Sequence, residues 1–202
     1  MDYGENVYDR EWDVLVVLDA CRADLLRSVA ADVSFLDAVE TVRSVGSSSS
    51  EWLENTFGGR AETGRTAMIT GNTWTDRYLD AGNFAALDEV WKYAWDDDLG
   101  TVPPAAITDR AIALDRDRDP DWLVVHYMQP HHPFVPDPIA GDDGMARTGS
   151  HSNDANPWVL LRRGEVTTER VRSAYRANLE YVLPEVRTLV ENVTGRVAIT
   201  AD

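Results

Sequence analysis

The sequence predicts an α/β fold with a mostly parallel sheet flanked by helices. Two continuous apolar runs, at residues 13–18 and 122–128, are typical of strands that helices cover on both faces. Segments with helical apolar spacing separate these runs, which is the alternation of a parallel sheet. The ligand site of such a sheet lies at the carboxyl ends of its strands. The residues that follow the strands are therefore the first candidates for function.

The first half of the chain alternates strand and helix signals. The run DVLVVL predicts the first strand, and good helix formers at 20–31 predict a helix after it. A short strand is expected at 41–45, followed by the loop GSSSS and a helix from about 50 to 57 that two glycines end. The segment TAMIT at 66–70 predicts another strand.

The second half repeats this alternation. Residues 85–95 are apolar and aromatic, and their pattern leaves the type of element open. Helical spacing starts at Pro103, the strand WLVVHYM follows at 122–128, and residues 141–165 predict an exposed loop. The apolar spacing at 167–193 predicts an amphipathic helix, bent or broken at its single proline, and RVAITAD predicts the last strand.

Composition excludes several classes of function. The 202 residues fit one domain, and a net charge of −16 argues against nucleic acid or anionic membranes as partners. Arginine almost replaces lysine, and aspartate dominates the acids, as in cytosolic proteins of salt-loving archaea. The single cysteine, Cys21, excludes an internal disulfide and a cysteine-based zinc cluster. The N-terminus is charged and no long apolar run occurs, so we expect a cytoplasmic protein.

Acidic and hydroxyl side chains follow three of the predicted strands. Asp19 is a candidate ligand of a hard cation or, alternatively, the N-cap of the next helix. Asp202 ends the last strand in the same way, and two carboxylates at one sheet edge would repel unless a cation lay between them; chance placement is the alternative. The serines at 47–50 offer a nucleophile or metal ligand, or only a turn in which one serine caps the helix.

Three of the four histidines lie within seven residues at the end of a buried strand. His126, His131 and His132 could ligate a metal or donate to an oxyanion. A strand histidine such as His126 is also compatible with a satisfied core residue, and His132 has no separate support. We assign His126, together with Asn72 after the strand at 66–70, to substrate binding.

These motifs resemble the alkaline phosphatase and sulfatase superfamily, specifically its sulfatase-like hydrolases. DVLVVLDACRADLL is similar to the family's opening strand, GSSSSEWLENTF to its nucleophile loop and helix, HYMQPHHPF to H-x-x-x-P-H-x-P-[FY], and RVAITAD to the segment leading to T-A-D-H-G-E. The resemblance implies that Asp19 and Asp202 bind a divalent cation (calcium, magnesium, manganese or zinc). It also implies that Ser49 is the nucleophile and a metal ligand, and that His131 contacts the oxyanion.

Two departures from the family pattern shape the expectation. Sulfatases convert a Cys or Ser in C/S-x-P-x-R into formylglycine, but Glu51 and Leu53 replace the proline and the arginine. A small phosphate ester is therefore favoured over a sulfate ester. The histidine and G-E after Asp202 are absent, so residues 1–202 are expected to be the N-terminal portion of a single catalytic domain.

Two other functions remain open. The first is hydrolysis of a sulfuric ester by the same group of enzymes. The second is a truncated α/β domain that binds a partner or an anion without turnover. A serine hydrolase is a more distant possibility, because the loop lacks the G-x-S-x-G pattern.

Overall fold

One parallel sheet forms the centre of the molecule. The structure is a computed structural model that describes residues 4–36, 38–118, 120–142 and 156–202. Its strands are β1 (Val14–Leu18), β2 (Thr66–Thr70), β3 (Ala86–Glu89), β4 (Trp122–Tyr127) and β5 (Val197–Thr200). They lie in the order β3-β2-β4-β1-β5, and every pair is parallel. The predicted α/β class with a parallel sheet is thus confirmed.

Helices cover both faces of this sheet. They are α1 (Ala23–Ala30), α2 (Ser49–Phe57), α3 (Thr75–Tyr78), α4 (Pro104–Arg118), α5 (Pro157–Arg163) and α6 (Thr168–Asn192). Short 3₁₀ turns at Val7–Asp9, Glu62–Arg65, Ala81–Asn83 and Val90–Lys92 connect some of them. In the described part of the chain, no helix combines the length and the apolar character needed to cross a bilayer.

Alternation along the strands divides the core between the two faces. On one face, β1 and β4 contribute apolar residues that pack with α1, α4 and α6: Val14, Val16, Leu18, Leu123, Val125 and Tyr127. On the other face, Leu15, Val17 and Val124 pack with Trp52 and Leu53 of α2. His126 alternates with its neighbours in β4 and points to the α2 side, where its ring meets Trp52 edge-on.

The strand register aligns the carboxyl ends that were predicted to carry function. His126 pairs with Val17 of β1 on one side and with Thr70 of β2 on the other. Asp19 directly follows β1, and Asp202 lies two residues beyond β5. Because β4, β1 and β5 are neighbours in the sheet, their carboxyl ends form one edge.

Several predicted elements differ from the structure. Residues 41–45 form no strand, and Val42 is 44% exposed, because no other strand pairs with this segment. The open segment 85–95 contains β3. The predicted loop at 141–165 contains α5, which Asn156 caps, while 143–155 lie outside the described residues.

The helix predicted to be bent or broken at Pro184 runs unbroken from Thr168 to Asn192. Pro184 removes the hydrogen bond that the Glu180 carbonyl would accept. Both residues are exposed, so water can satisfy that carbonyl without disrupting the helix.

Candidate metal centre

Three ionisable side chains from three adjacent strands meet at the carboxyl edge of the sheet. Asp19, His126 and Asp202 each offer one ligand atom, and these atoms all lie within 4.8 Å of one another. His126 Nε2 is 3.3 Å from Asp19 Oδ2 and 4.0 Å from Asp202 Oδ2. The structure therefore brings together two predicted metal ligands and a histidine that was assigned to substrate binding.

The centre is buried and incompletely satisfied. The His126 side chain is fully buried, and the carboxylates of Asp19 and Asp202 are only 2% and 3% exposed. Among the described residues, neither ring nitrogen of His126 has a hydrogen-bond partner of good geometry. A buried polar group without a partner costs about 1–3 kcal/mol, and this imidazole lies beside two carboxylates in a group that could hold a metal ion.

Electrostatics distinguishes the two carboxylates. Burial opposes ionisation of Asp19, but His126, His131 and the amide of Asn72 together hold its pKa below the usual value. Burial raises the pKa of Asp202, and the nearby charge of Asp19 raises it further. The two groups thus disfavour simultaneous ionisation, and a bound cation would remove that conflict.

Each carboxylate is also held by a neutral donor. The Asn72 side chain donates to Asp19 Oδ2 at 2.7 Å, and its own carbonyl oxygen accepts the Trp74 N–H at 2.9 Å. The Ala20 N–H donates to Asp202 Oδ1 at 2.8 Å. Asn72, which we predicted to bind substrate, contacts a candidate metal ligand and is itself buried.

The alternative role of Asp19 as a helix cap is wrong. Helix α1 begins after Arg22, whose side chain makes no capping hydrogen bond. Arg22 pairs with Asp24 at 2.9 Å, so Asp19 is left to face the centre.

The four serines before and within α2 have different partners. Ser48 caps the helix by accepting the Glu51 N–H, and Ser47 donates to the Glu51 carboxylate through its N–H and hydroxyl. Ser49 Oγ donates to Asp202 Oδ2 at 2.5 Å. One serine therefore caps the helix, as the alternative interpretation expected, while Ser49 joins the centre.

His131 lies beside the centre but is not a member of the group of three. Its N–H donates to the Asp19 carbonyl at 3.1 Å, and its Nδ1 is 2.6 Å from the His132 carbonyl oxygen. Because a carbonyl only accepts, Nδ1 carries a proton and Nε2 is the ring atom left for chemistry. The two histidine rings stack with centroids 4.4 Å apart.

A cavity reaches the centre at Asp202 only, since Asp19, His126 and Ser49 do not line it. It has a volume of about 740 Å³ and is lined by Asp202 together with Cys21, Arg22 and Thr200. This volume lies within the range of small-molecule sites.

Comparison with protein-family models, curated proteins and solved structures finds no match to this chain. Sequence reasoning located the side chains of the centre but missed the Ala20 amide, because a backbone donor leaves no signal in residue type. The adjacency of Ser49 and Asp202, which are 153 residues apart, likewise has no local signal.

Proposed function

We propose that the chain holds a divalent cation between Asp19, His126 and Asp202 and uses Ser49 as nucleophile to hydrolyse or transfer a small phosphate ester. The observation that supports this most directly is the contact between Ser49 Oγ and Asp202 Oδ2. This contact brings a serine hydroxyl, the proposed nucleophile, next to a buried group of two carboxylates and an imidazole. The contact connects the serine loop to the ends of the strands.

The donor set fits a cation. Any divalent ion accepts carboxylate oxygens as ligands. An imidazole nitrogen, in contrast, favours zinc or manganese over calcium or magnesium. The orphaned nitrogens of His126 support its role as a third ligand, in place of the substrate contact expected from the sequence. When bound, the ion would act as a Lewis acid that favours loss of the serine proton and neutralises ester oxygens.

The residues of the chain supply the remaining chemistry. Ser49 Oγ would attack phosphorus, the bond from phosphorus to the alcohol oxygen would break, and a phosphoserine would form. The hydroxyl proton has an acceptor in Asp202 Oδ2, to which it already points. The leaving alkoxide would take a proton from His131. Water would then attack the phosphoserine, its oxygen bonding to phosphorus as the bond to Ser49 Oγ breaks and its proton passing to Ser49 Oγ, while the proton on Asp202 returns to His131 through solvent.

The role of His131 is constrained by its hydrogen bonds. Because Nδ1 donates to the His132 carbonyl, donation to the ester must come from Nε2. A ring with both nitrogens protonated is the imidazolium, so His131 would act as a cationic donor to the developing negative charge.

We favour a phosphate ester because the two positions after Ser49 that formylglycine formation requires carry residues with structural contacts. Glu51 accepts two hydrogen bonds from Ser47. Leu53 is fully buried in the core between α2 and the sheet. Neither position carries the residue that formylglycine formation requires in the sulfatase-like family. An unmodified serine in that family goes with phosphate chemistry.

The test compares wild type with Ser49→Ala and with the matched control Ser50→Ala, whose hydroxyl contacts Ser48 and not the centre. The substrates are p-nitrophenyl phosphate, bis(p-nitrophenyl) phosphate and p-nitrophenyl sulfate, each with zinc, manganese, magnesium or calcium and with a chelator. We expect metal-dependent release of p-nitrophenol from a phosphate ester that Ser49→Ala abolishes and Ser50→Ala retains. Peptide mass spectrometry should find phosphoserine at Ser49.

Other outcomes point to the alternatives. Turnover of the sulfate ester alone would indicate the sulfuric ester hydrolase. Cation binding without turnover of any ester would indicate the non-catalytic binding domain. Equal turnover by Ser49→Ala and wild type would overturn the nucleophile assignment.

A further inference from the structure

Helix α6 contacts two loops beside the centre, the turn after Asp19 and the loop that contains His131. The Tyr175 hydroxyl donates to the Ala20 carbonyl and accepts the Arg22 N–H at 3.1 Å. Ala20 has a φ of +54°, in the left-handed region that residues other than glycine rarely adopt. Its N–H is the donor that holds Asp202. Tyr175 thus braces a strained turn whose backbone bonds directly to a candidate ligand.

Asn178 lies one helical turn further along α6 and holds the second loop. Its Nδ2 is within 2.8–3.3 Å of three carbonyl oxygens, those of Pro130, His131 and Pro133. Its Oδ1 accepts the Val135 N–H at 3.1 Å. Because prolines in this loop have no N–H to pair with neighbouring carbonyls, the loop depends on a donor from outside.

A buried asparagine at position 178 lowers the stability of the fold unless its amide has hydrogen-bond partners. Asn178 is fully buried in the interior of a helix, where asparagine has poor intrinsic propensity. Every polar atom of its amide has a partner in the loop, so this burial is compensated. The His131 backbone is held on both sides, since its N–H bonds to Asp19 and its carbonyl to Asn178.

We infer that Tyr175 and Asn178 are positioning residues that fix the Asp19 turn and the His131 loop relative to each other. This inference rests on the proposed function, because it assigns these two residues to the same centre. Neither side chain needs to touch the cation or the ester. They act through Ala20, which orients Asp202, and through the loop that orients His131.

The first variant is Tyr175→Phe, which removes only the hydroxyl. The second is Asn178→Asp, which keeps an oxygen that accepts the Val135 N–H and loses the amide group that donates to the loop carbonyls. The matched control is Tyr8→Phe, since the Tyr8 hydroxyl is also part-buried and bonds Thr66 at the opposite end of a strand. Zinc affinity is measured by calorimetry. Hydrogen exchange of the Ala20 amide and the nitrogen resonances of the His131 ring are measured by NMR without metal.

We expect Tyr175→Phe to bind zinc about 10- to 100-fold more weakly, the range for residues that orient ligands, while Tyr8→Phe binds it as wild type does. Exchange of the Ala20 amide should accelerate about tenfold or more in Tyr175→Phe, with no matching change at the core amide of Val16. In Asn178→Asp, the His131 ring should lose the Nδ1-protonated form that its contact with the His132 carbonyl implies for wild type.

Wild-type exchange at Ala20 in Tyr175→Phe, together with an unchanged His131 ring in Asn178→Asp, would overturn the inference. Equal losses of zinc affinity in Tyr175→Phe and Tyr8→Phe would also overturn it, because they would reflect general destabilisation. If wild type binds no zinc, the proposed function loses its cation. Exchange of the Ala20 amide in Tyr175→Phe and the His131 ring signals in Asn178→Asp, both measured without metal, then test the positioning roles by themselves.

Discussion

Replacing Asp202 by asparagine should stabilise the metal-free protein and abolish its stabilisation by a cation. Both candidate carboxylates are almost fully buried, and burial together with the charge of Asp19 raises the pKa of Asp202. Asparagine keeps an oxygen that accepts the Ala20 N–H, and its amide nitrogen can face Ser49. Asp202→Asn therefore removes a charge and retains the shape and the contacts.

The magnitude follows from the separation of the ligand atoms. At 4.8 Å, the upper limit within the group, two unit charges repel by about 3.5 kcal/mol at an effective dielectric constant of about 20. Weaker hydrogen bonds from Ala20 and Ser49 offset part of this gain, at about 1 kcal/mol each. We expect a net gain of about 1–2 kcal/mol, which raises Tm by about 2–8 °C in a chain of this size.

The effect should depend on pH in a defined direction. Because the folded-state pKa of Asp202 is raised, its protonation contributes stability that is present below the ordinary value of 3.8 and is lost as pH rises. The advantage of Asp202→Asn should therefore be small near pH 3 and full near pH 7. Thermal unfolding followed by circular dichroism in chelator measures it.

A second arm of the assay adds zinc. At about 100 times the Kd, a bound ion stabilises wild type by about 2.7 kcal/mol, and Asp202→Asn should gain little or nothing. The control is Asp32→Asn, which makes the same charge change at an exposed position and should stay within about 0.5 kcal/mol of wild type. If Asp202→Asn is less stable than wild type in chelator at neutral pH, the two carboxylates are not in conflict and the reasoning fails.

Two further predictions test the serine loop and the cysteine. A Cβ at Gly46 would lie 2.3 Å from the Trp52 nitrogen, so Gly46→Ala should cost about 1–3 kcal/mol in urea unfolding and reduce Ser49-dependent turnover. Gly64→Ala, with its nearest contact at 3.9 Å, should change neither, and equal losses in both variants would contradict the prediction. Burial raises the pKa of Cys21 to about 12, so a disulfide reagent should modify it slowly near pH 8 until urea unfolds the chain; rapid modification of the folded protein would refute this.

Most of the sheet was predictable because strands buried on both faces have a distinctive composition. The runs that became β1, β2 and β4 are mostly apolar and buried almost throughout, since helices cover them on each side. β3 has no such signal, because its sequence ALDE belongs to an edge strand whose Asp88 pairs with Arg110. The predicted strand at 41–45 fails for the opposite reason: its valines suggested a strand, but no neighbour pairs with them.

The centre was predictable as far as it depends on the ends of strands. Asp19, His126 and Asp202 follow from the rule that parallel strands present their carboxyl ends at one edge. The strand order was not predictable, and it alone shows that β4, β1 and β5 are neighbours. The spacing of α6 placed Asn178 on its buried stripe, seven residues after Val171 and four before Val182, but no local signal showed which carbonyls its amide would bind.

The charge of the whole chain and the charge of the centre have the same sign, which implies an order of binding. A field from a net charge of −16 attracts cations and repels a phosphate ester, and the buried carboxylates do the same at short range. Under the proposed function, the ester would gain attraction only after a cation had reversed the local charge beside Ser49. The proposal thus predicts that the cation binds first, so that an acidic surface unfavourable to polyanions would still favour a small anionic substrate by attracting the cation to the centre.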